Sequence, residues 1–349
     1  MKRKLLTAAV VAVLVVAAVL GVLWYVMQQA LYQPGMVRSG PAVTRPIQTH
    51  EESFWTMGSG VKLYHFGDGA GRNVLVVHGG PGFPIRKPLA GLRPLADRYR
   101  FHYYDQRGCG RSSRPVDRFT SRNYYQNLQA LDAALGLGAQ VADIERFRRI
   151  LGDQQVVLVG HSFGAFLAAL YAAEFPEHVK GMVMVGPANL LKMPLENGGL
   201  YERMRATMPA GLKQEYDGFL RRYLDFSGIF GRSEEDLRRL NAEFRKYYAA
   251  AGGKPPADED GADNGGWMVF AMYFSMGRRH DYRPAMHAVA APVLVVHGDK
   301  DLLPESSSRD FAAAFPKSSV AVIRNAGHFP FDDQPEEFAA VVGKFLGAL

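Results

Sequence analysis

The chain has 349 residues, with 41 Lys and Arg against 34 Asp and Glu and a formal net charge of +7. That length suits one catalytic domain with additions rather than a string of domains. The basic residues are scattered instead of gathered on a recognition helix, which argues against a nucleic-acid partner. The single cysteine, Cys109, excludes an intrachain disulfide.

Lys2-Arg3-Lys4 precedes residues 5–27, which carry no charge. At about 1.5 Å per helical residue this stretch crosses a hydrocarbon core of about 30 Å. Residues 1–29 therefore predict a single-pass transmembrane signal anchor. The basic cluster puts the N-terminus in the cytoplasm, with Trp24 and Tyr25 at the outer interface and the catalytic domain periplasmic or extracellular. A cleaved signal peptide is the alternative, but the apolar run is long for one and lacks an A-x-A site near its end. Residues 30–50 contain Pro34, Gly35, Gly40, Pro41 and Pro46 and read as an extended linker.

From residue 51 a hairpin is expected over 52–57 and 61–66, turning at Gly58-Ser59-Gly60. Strands over 73–77, 100–104, 155–159, 182–185 and 292–296 alternate with helices over 89–97, 123–151, 165–175 and 335–349. This alternation predicts an α/β core with a mostly parallel sheet covered by helices. The core comes in two parts, 51–186 and 292–349. Residues 187–291 are too many for a simple crossover and hold helical stretches at 212–223 and 234–250, so they predict a helical cap inserted over the site. The aromatic stretch 267–274 suits either core packing or a substrate wall.

The chemistry-bearing residues fall at strand ends. Gly160-His161-Ser162-Phe163-Gly164 lies between an apolar strand and a helix, the pattern of a nucleophile elbow. Its glycines let the chain pass closely around a strained serine. His297-Gly298-Asp299-Lys300-Asp301 and Asn325-Ala326-Gly327-His328 each follow a later apolar run. A serine hydroxyl needs a base, an imidazole titrates near neutrality, and an acid fixes the imidazole tautomer. The expected triad is thus Ser162, Asp301 and His328. Asp299 reads as a loop cap. The oxyanion hole would use the N–H groups of Phe163 and, from His78-Gly79-Gly80-Pro81-Gly82, of Gly80. His78, His102 and His297 read as structural, His161 as packing behind the elbow, and Cys109 as a small residue in a tight loop. No zinc spacing or phosphate loop is present, so no cofactor and no metal is expected.

The glycine loop, the run Tyr104-Asp105-Gln106-Arg107-Gly108-Cys109-Gly110-Arg111-Ser112 and Val141-Ala142-Asp143-Ile144-Glu145-Arg146 together resemble a known family. It is the prolyl aminopeptidase (proline iminopeptidase) branch of the α/β-hydrolases, and the resemblance covers roughly residues 51–349. It implies an α/β-hydrolase fold and release of an N-terminal residue, often proline, from short peptides. It also implies acidic cap residues that bind the substrate α-amine, commonly on a Trp-rich helix. Residues 267–274 contain no acid, so the expected substrate contacts are Trp267 and Phe270 with Glu202 and Glu243, while Glu215 and Asp263 are also available. A carboxylesterase or lipid-acyl hydrolase is the alternative, followed by a carbon–carbon bond hydrolase or a catalytically silent binding protein. The serine nucleophile argues against the related branches that use aspartate.

Overall fold

The computed structural model describes all residues except 1–10, 12, 23–24, 26–27, 42, 50, 59, 196–197 and 255–262. An eight-stranded sheet runs in the order β1-β2-β4-β3-β5-β6-β9-β10. Its strands are β1 (Phe54–Thr56), β2 (Lys62–Asp68), β3 (Arg72–Val77), β4 (Tyr99–Tyr104), β5 (Val156–His161), β6 (Val179–Val185), β9 (Val293–Gly298) and β10 (Ser318–Ile323). β1 and β2 form the expected antiparallel hairpin, β2 pairs antiparallel with β4, and every other neighbour pair is parallel. Both faces of the central strands are covered, which is why they read as unbroken apolar runs. Val74, Val76, Val157 and Val159 pack on one face with Phe338 and Leu346, while Leu75, Val77 and Leu158 pack on the other with Phe166 and Leu170.

β3 lies between β4 and β5, so successive crossovers leave it in opposite directions. Ligand crevices of open α/β sheets form at such a switch point, beyond the strands' carboxyl ends. The loop after β3 and the turn after β5 meet there.

Three expectations need correction. The helix expected over 123–151 is two helices, Tyr124–Leu135 and Leu137–Leu151. Gly136 separates them in an extended conformation (φ −65°, ψ 175°), and a Cβ there would stand 2.5 Å from the Asp132 carbonyl oxygen. Residues 89–97 form a 3₁₀ helix, Ala90–Leu95, with Pro94 inside it, in place of an α-helix. The linker is docked over much of its length: Tyr32 is 2 % exposed, and a one-turn helix, Met36–Ser39, follows. The buried Glu174 carboxylate accepts Tyr32 Oη–H at 2.7 Å and the N–H groups of Gly35 (2.8 Å), Val37 (3.3 Å) and Arg38 (3.0 Å). Upstream, the Gln28 carbonyl accepts the N–H groups of Arg278 and Arg279 at 2.9 and 3.0 Å.

Residues 187–291 contain helices Leu200–Thr207, Lys213–Tyr223, Glu234–Ala250 and Trp267–Met276, and a small antiparallel pair, β7 (Lys192–Met193) with β8 (His280–Asp281). Among the described residues no helix is long and apolar enough to cross a membrane. Much of the expected anchor, residues 1–10, 12, 23–24 and 26–27, lies outside the described residues. The described helical residues between them, 13–22, expose Val13, Leu14, Val15, Val16, Val19, Leu20 and Val22.

Candidate active site

Ser162 follows β5 with φ +53° and ψ −118°. A left-handed non-glycine residue costs on the order of 1–3 kcal/mol and persists only where its surroundings impose it. Its glycine neighbours allow that enforcement. A Cβ on Gly160 would stand 2.6 Å from Ala165 Cα, and one on Gly164 2.1 Å from the Val77 carbonyl oxygen. The Ser162 N–H donates to Val185 O at 2.8 Å, tying the turn to β6. Phe163 opens the helix Phe163–Glu174, so its N–H has no acceptor within that helix.

The glycine loop crosses in front of this turn. A Cβ on Gly79 would lie 2.8 Å from Ser162 Cβ. Gly80, at φ +119°, lines the same cavity as Ser162. His78 braces the loop from behind: Nδ1–H donates to Gly79 O at 2.9 Å, and Nε2 accepts the Gln106 N–H at 3.1 Å. Burial lowers its pKa to about 4, so it stays neutral. Cys109, fully buried, donates its thiol to Gln106 O at 3.2 Å, as befits a small residue in a tight loop.

Asp301 and His328 arrive from the loops after β9 and β10. His328 Nδ1–H donates to Asp301 Oδ2 at 2.7 Å, and Asp301 Oδ1 accepts the Leu303 N–H at 3.1 Å. Burial opposes charge on both groups. Their mutual attraction outweighs it, leaving the Asp301 carboxyl below its ordinary pKa and the His328 imidazole above. Asp299 has no part in this pair; its nearest cation is Lys300, at 3.9 Å. His161 is more than packing. It lines the cavity, and its Nε2–H donates to His328 O at 2.9 Å. Burial, then the nearby His328 charge, lowers its pKa to about 3, which keeps it a neutral donor to that carbonyl.

Ser162, His328 and Gly80 share a cavity of about 170 Å³. Its apolar walls are Phe83, Ile85, Leu89, Phe329 and Phe331 from the core, and Leu200, Phe244 and Tyr248 from residues 187–291. Arg86, Lys87 and Arg245 supply cations, and Asp332 is the one carboxylate among the described lining residues. Asp332 accepts the Ala90 N–H and faces Lys87.

None of the four substrate residues expected from the sequence lines this cavity. Trp267 and Phe270 are fully buried in the aromatic core between helices. The Trp267 indole N–H donates to Asp117 O at 2.9 Å. Glu202 accepts the Gly199 N–H at 2.8 Å, capping its own helix. Glu243 pairs with Arg222 at 2.6 Å, Glu215 with Lys246 at 2.6 Å, and Asp263 with Arg86 at 2.7 Å. A uniformly apolar helix such as Trp267–Met276 does not reveal from its pattern which face meets a ligand. The true walls are the aromatic residues next to the motifs, Phe83 after the glycine loop and Phe329 and Phe331 after the base. Apolar residues in otherwise polar turns were the available signal. Among the described residues no cluster of His, Cys, Asp or Glu is arranged to hold a metal ion.

The sheet, elbow and acid–base pair define an α/β-hydrolase. The chain belongs to the alpha/beta hydrolase fold family, whose model matches residues 72–335. Within it the chain is similar to the proline iminopeptidase of Heyndrickxia coagulans, 26 % identical over 297 residues (81 % of this chain and 93 % of the relative). It is also similar to the mouse (lyso)-N-acylphosphatidylethanolamine lipase, 26 % identical over 298 residues, or 80 % of each chain. Its fold matches the solved structure of an esterase from Exiguobacterium antarcticum with a TM-score of 0.58 at 18 % identity, covering 84 % of this chain and 99 % of that one.

Proposed function

We propose that this hydrolase is a serine esterase acting on carboxylic esters with an apolar acyl group. In the first step Ser162 Oγ forms a bond to the carbonyl carbon while His328 Nε2 takes the serine proton. The carbonyl oxygen becomes an oxyanion held by the Gly80 and Phe163 N–H groups. Collapse breaks the ester C–O bond, and the imidazolium returns its proton to the leaving alcohol. Water, deprotonated by His328, then releases the acid from the acyl-serine. Asp301 holds the imidazole tautomer throughout.

The lining of the cavity carries the choice of substrate. A buried ammonium needs a paired carboxylate. Among the described lining residues the only one is Asp332, which is already engaged by Ala90 N–H and faces Lys87. Aromatic and aliphatic walls suit an acyl chain. Release of N-terminal residues from short peptides is the second reading, supported by the similarity to proline iminopeptidases.

The anchor belongs to the same proposal. Lys2-Arg3-Lys4, the uncharged residues 5–27 and the exposed Val and Leu side chains of 13–22 support an N-terminal helix in the membrane and a hydrolase body outside the cytoplasm.

The test is turnover of p-nitrophenyl esters of short and long acids by the full chain in detergent. Proline and alanine p-nitroanilides, with free and with blocked amines, are compared alongside, and Ser162→Ala is the blank. Ester turnover indifferent to amines is the expected result. Cleavage confined to free-amine substrates would overturn the ester assignment in favour of the peptidase.

A further inference from the structure

The base can work only if its loop holds the imidazole between serine and acid. Two hydrogen bonds grip the backbone on either side of His328. One is His161 Nε2–H to His328 O. The other is from the Gly327 N–H to Asp333 Oδ2, at 2.9 Å. Asp333 closes the short helix Pro330–Asp333, and its second oxygen, Oδ1, accepts Lys254 Nζ at 2.6 Å. Thus one carboxylate joins the base loop to a residue of the inserted region. The Asp333 side chain is 12 % exposed and that of Lys254 is 76 % exposed.

We propose that Asp333 is a positioning residue for His328, acting through the Gly327 N–H, and that what matters is its acceptor oxygen and not its charge. This rests on His328 being the base. An exposed ion pair such as that with Lys254 contributes little, whereas a part-buried N–H left without an acceptor must move or stay unpaired. Movement is costly at this position: displacing a reacting group by about 1 Å lowers the rate on the order of 10²-fold.

Four single variants of the full chain are compared with wild type on p-nitrophenyl butyrate: Asp333→Ala, Asp333→Asn, Lys254→Met and His328→Ala. Asparagine keeps an oxygen that can accept the Gly327 N–H but loses the ion pair. The expected result is that Asp333→Ala lowers kcat about tenfold or more with KM within about twofold. Asp333→Asn should restore kcat to within about threefold, Lys254→Met should stay near wild type, and His328→Ala should be inactive. An unchanged kcat in Asp333→Ala, or an asparagine variant as slow as the alanine one, would overturn the proposal. If Asp333→Ala fails to fold by its melting curve, the folded asparagine variant decides. Within threefold of wild type supports the acceptor role, and any larger loss refutes it. Full activity in His328→Ala would instead remove the base assignment itself.

Discussion

On the proposed mechanism the Asp301–His328 pair sets how the reaction responds to pH. An imidazolium cannot take the Ser162 proton, and the Asp301 carboxylate favours the imidazolium, raising the His328 pKa above the ordinary 6.5. Activity should therefore fall on acidification with a midpoint above 6.5, measured as kcat/KM for a non-ionising ester. Asp301→Asn removes the charge that raises that pKa. The limb should move to lower pH, and the rate should drop by about 10⁴-fold as the tautomer is lost. A limb that stays in place in the variant would mean that another group titrates. At this scale the sequence was highly legible. Ser162 could be read because its turn leaves no room for Cβ atoms at Gly160 and Gly164, so sterics wrote the motif. Asp301 could be chosen over Asp299 because the loop after β9 needs length to reach across to His328. The partner of His161 was not legible, since a histidine inside a motif carries no sign of which carbonyl it meets 167 residues away.

Elements were read well where one pattern governs them and poorly where partners come from afar. The sheet strands announced themselves as apolar runs, and the helices Lys213–Tyr223 and Glu234–Ala250 fell almost where their pattern put them. Gly136 was read as a mid-helix residue because the contact that starts the second helix is distant: Leu137 N–H donates to Ser275 Oγ of the inserted region at 3.0 Å. The start of the helix Trp267–Met276 is held in a similar way. Glu234, 7 % exposed, accepts the Gly266 N–H at 3.1 Å and the Trp267 N–H at 2.6 Å and pairs with Arg114. Next to it the Gly265 N–H donates to Gly82 O at 2.9 Å, so this helix start also braces the glycine loop. Glu234→Ala would leave two backbone donors unpaired and take from Arg114 its carboxylate, though not its carbonyl acceptors on Gly108, Asn264 and Asp263, which should cost about 3 kcal/mol in urea unfolding of the full chain. A loss below about 1 kcal/mol would show that water replaces the carboxylate there.

For the molecule as a whole, the least legible feature is the course of residues 28–39. From residue 30 on, prolines and glycines gave the chain the look of an extended linker, but its anchor is Glu174, a fully buried carboxylate at the end of the helix behind the elbow. Glu174→Ala should release this stretch. Tyr32 and its neighbours would become rapid sites of limited proteolysis, while turnover of a soluble ester by the intact chain stays near wild type. Unaltered protease resistance would place the hold elsewhere, at Gln28 or at Tyr282, whose hydroxyl donates to the Tyr32 carbonyl at 3.0 Å. Gln28 is fixed to the body, and it follows directly on the uncharged residues 5–27. On the proposed anchoring in a bilayer, that attachment would hold the hydrolase in a thin layer beside the lipid. It would then meet a membrane-resident ester, the substrate class proposed above, as a solute in two dimensions. Turnover would follow the mole fraction of that ester in the surface, and an inert amphiphile mixed into the vesicle would slow it where added buffer would not.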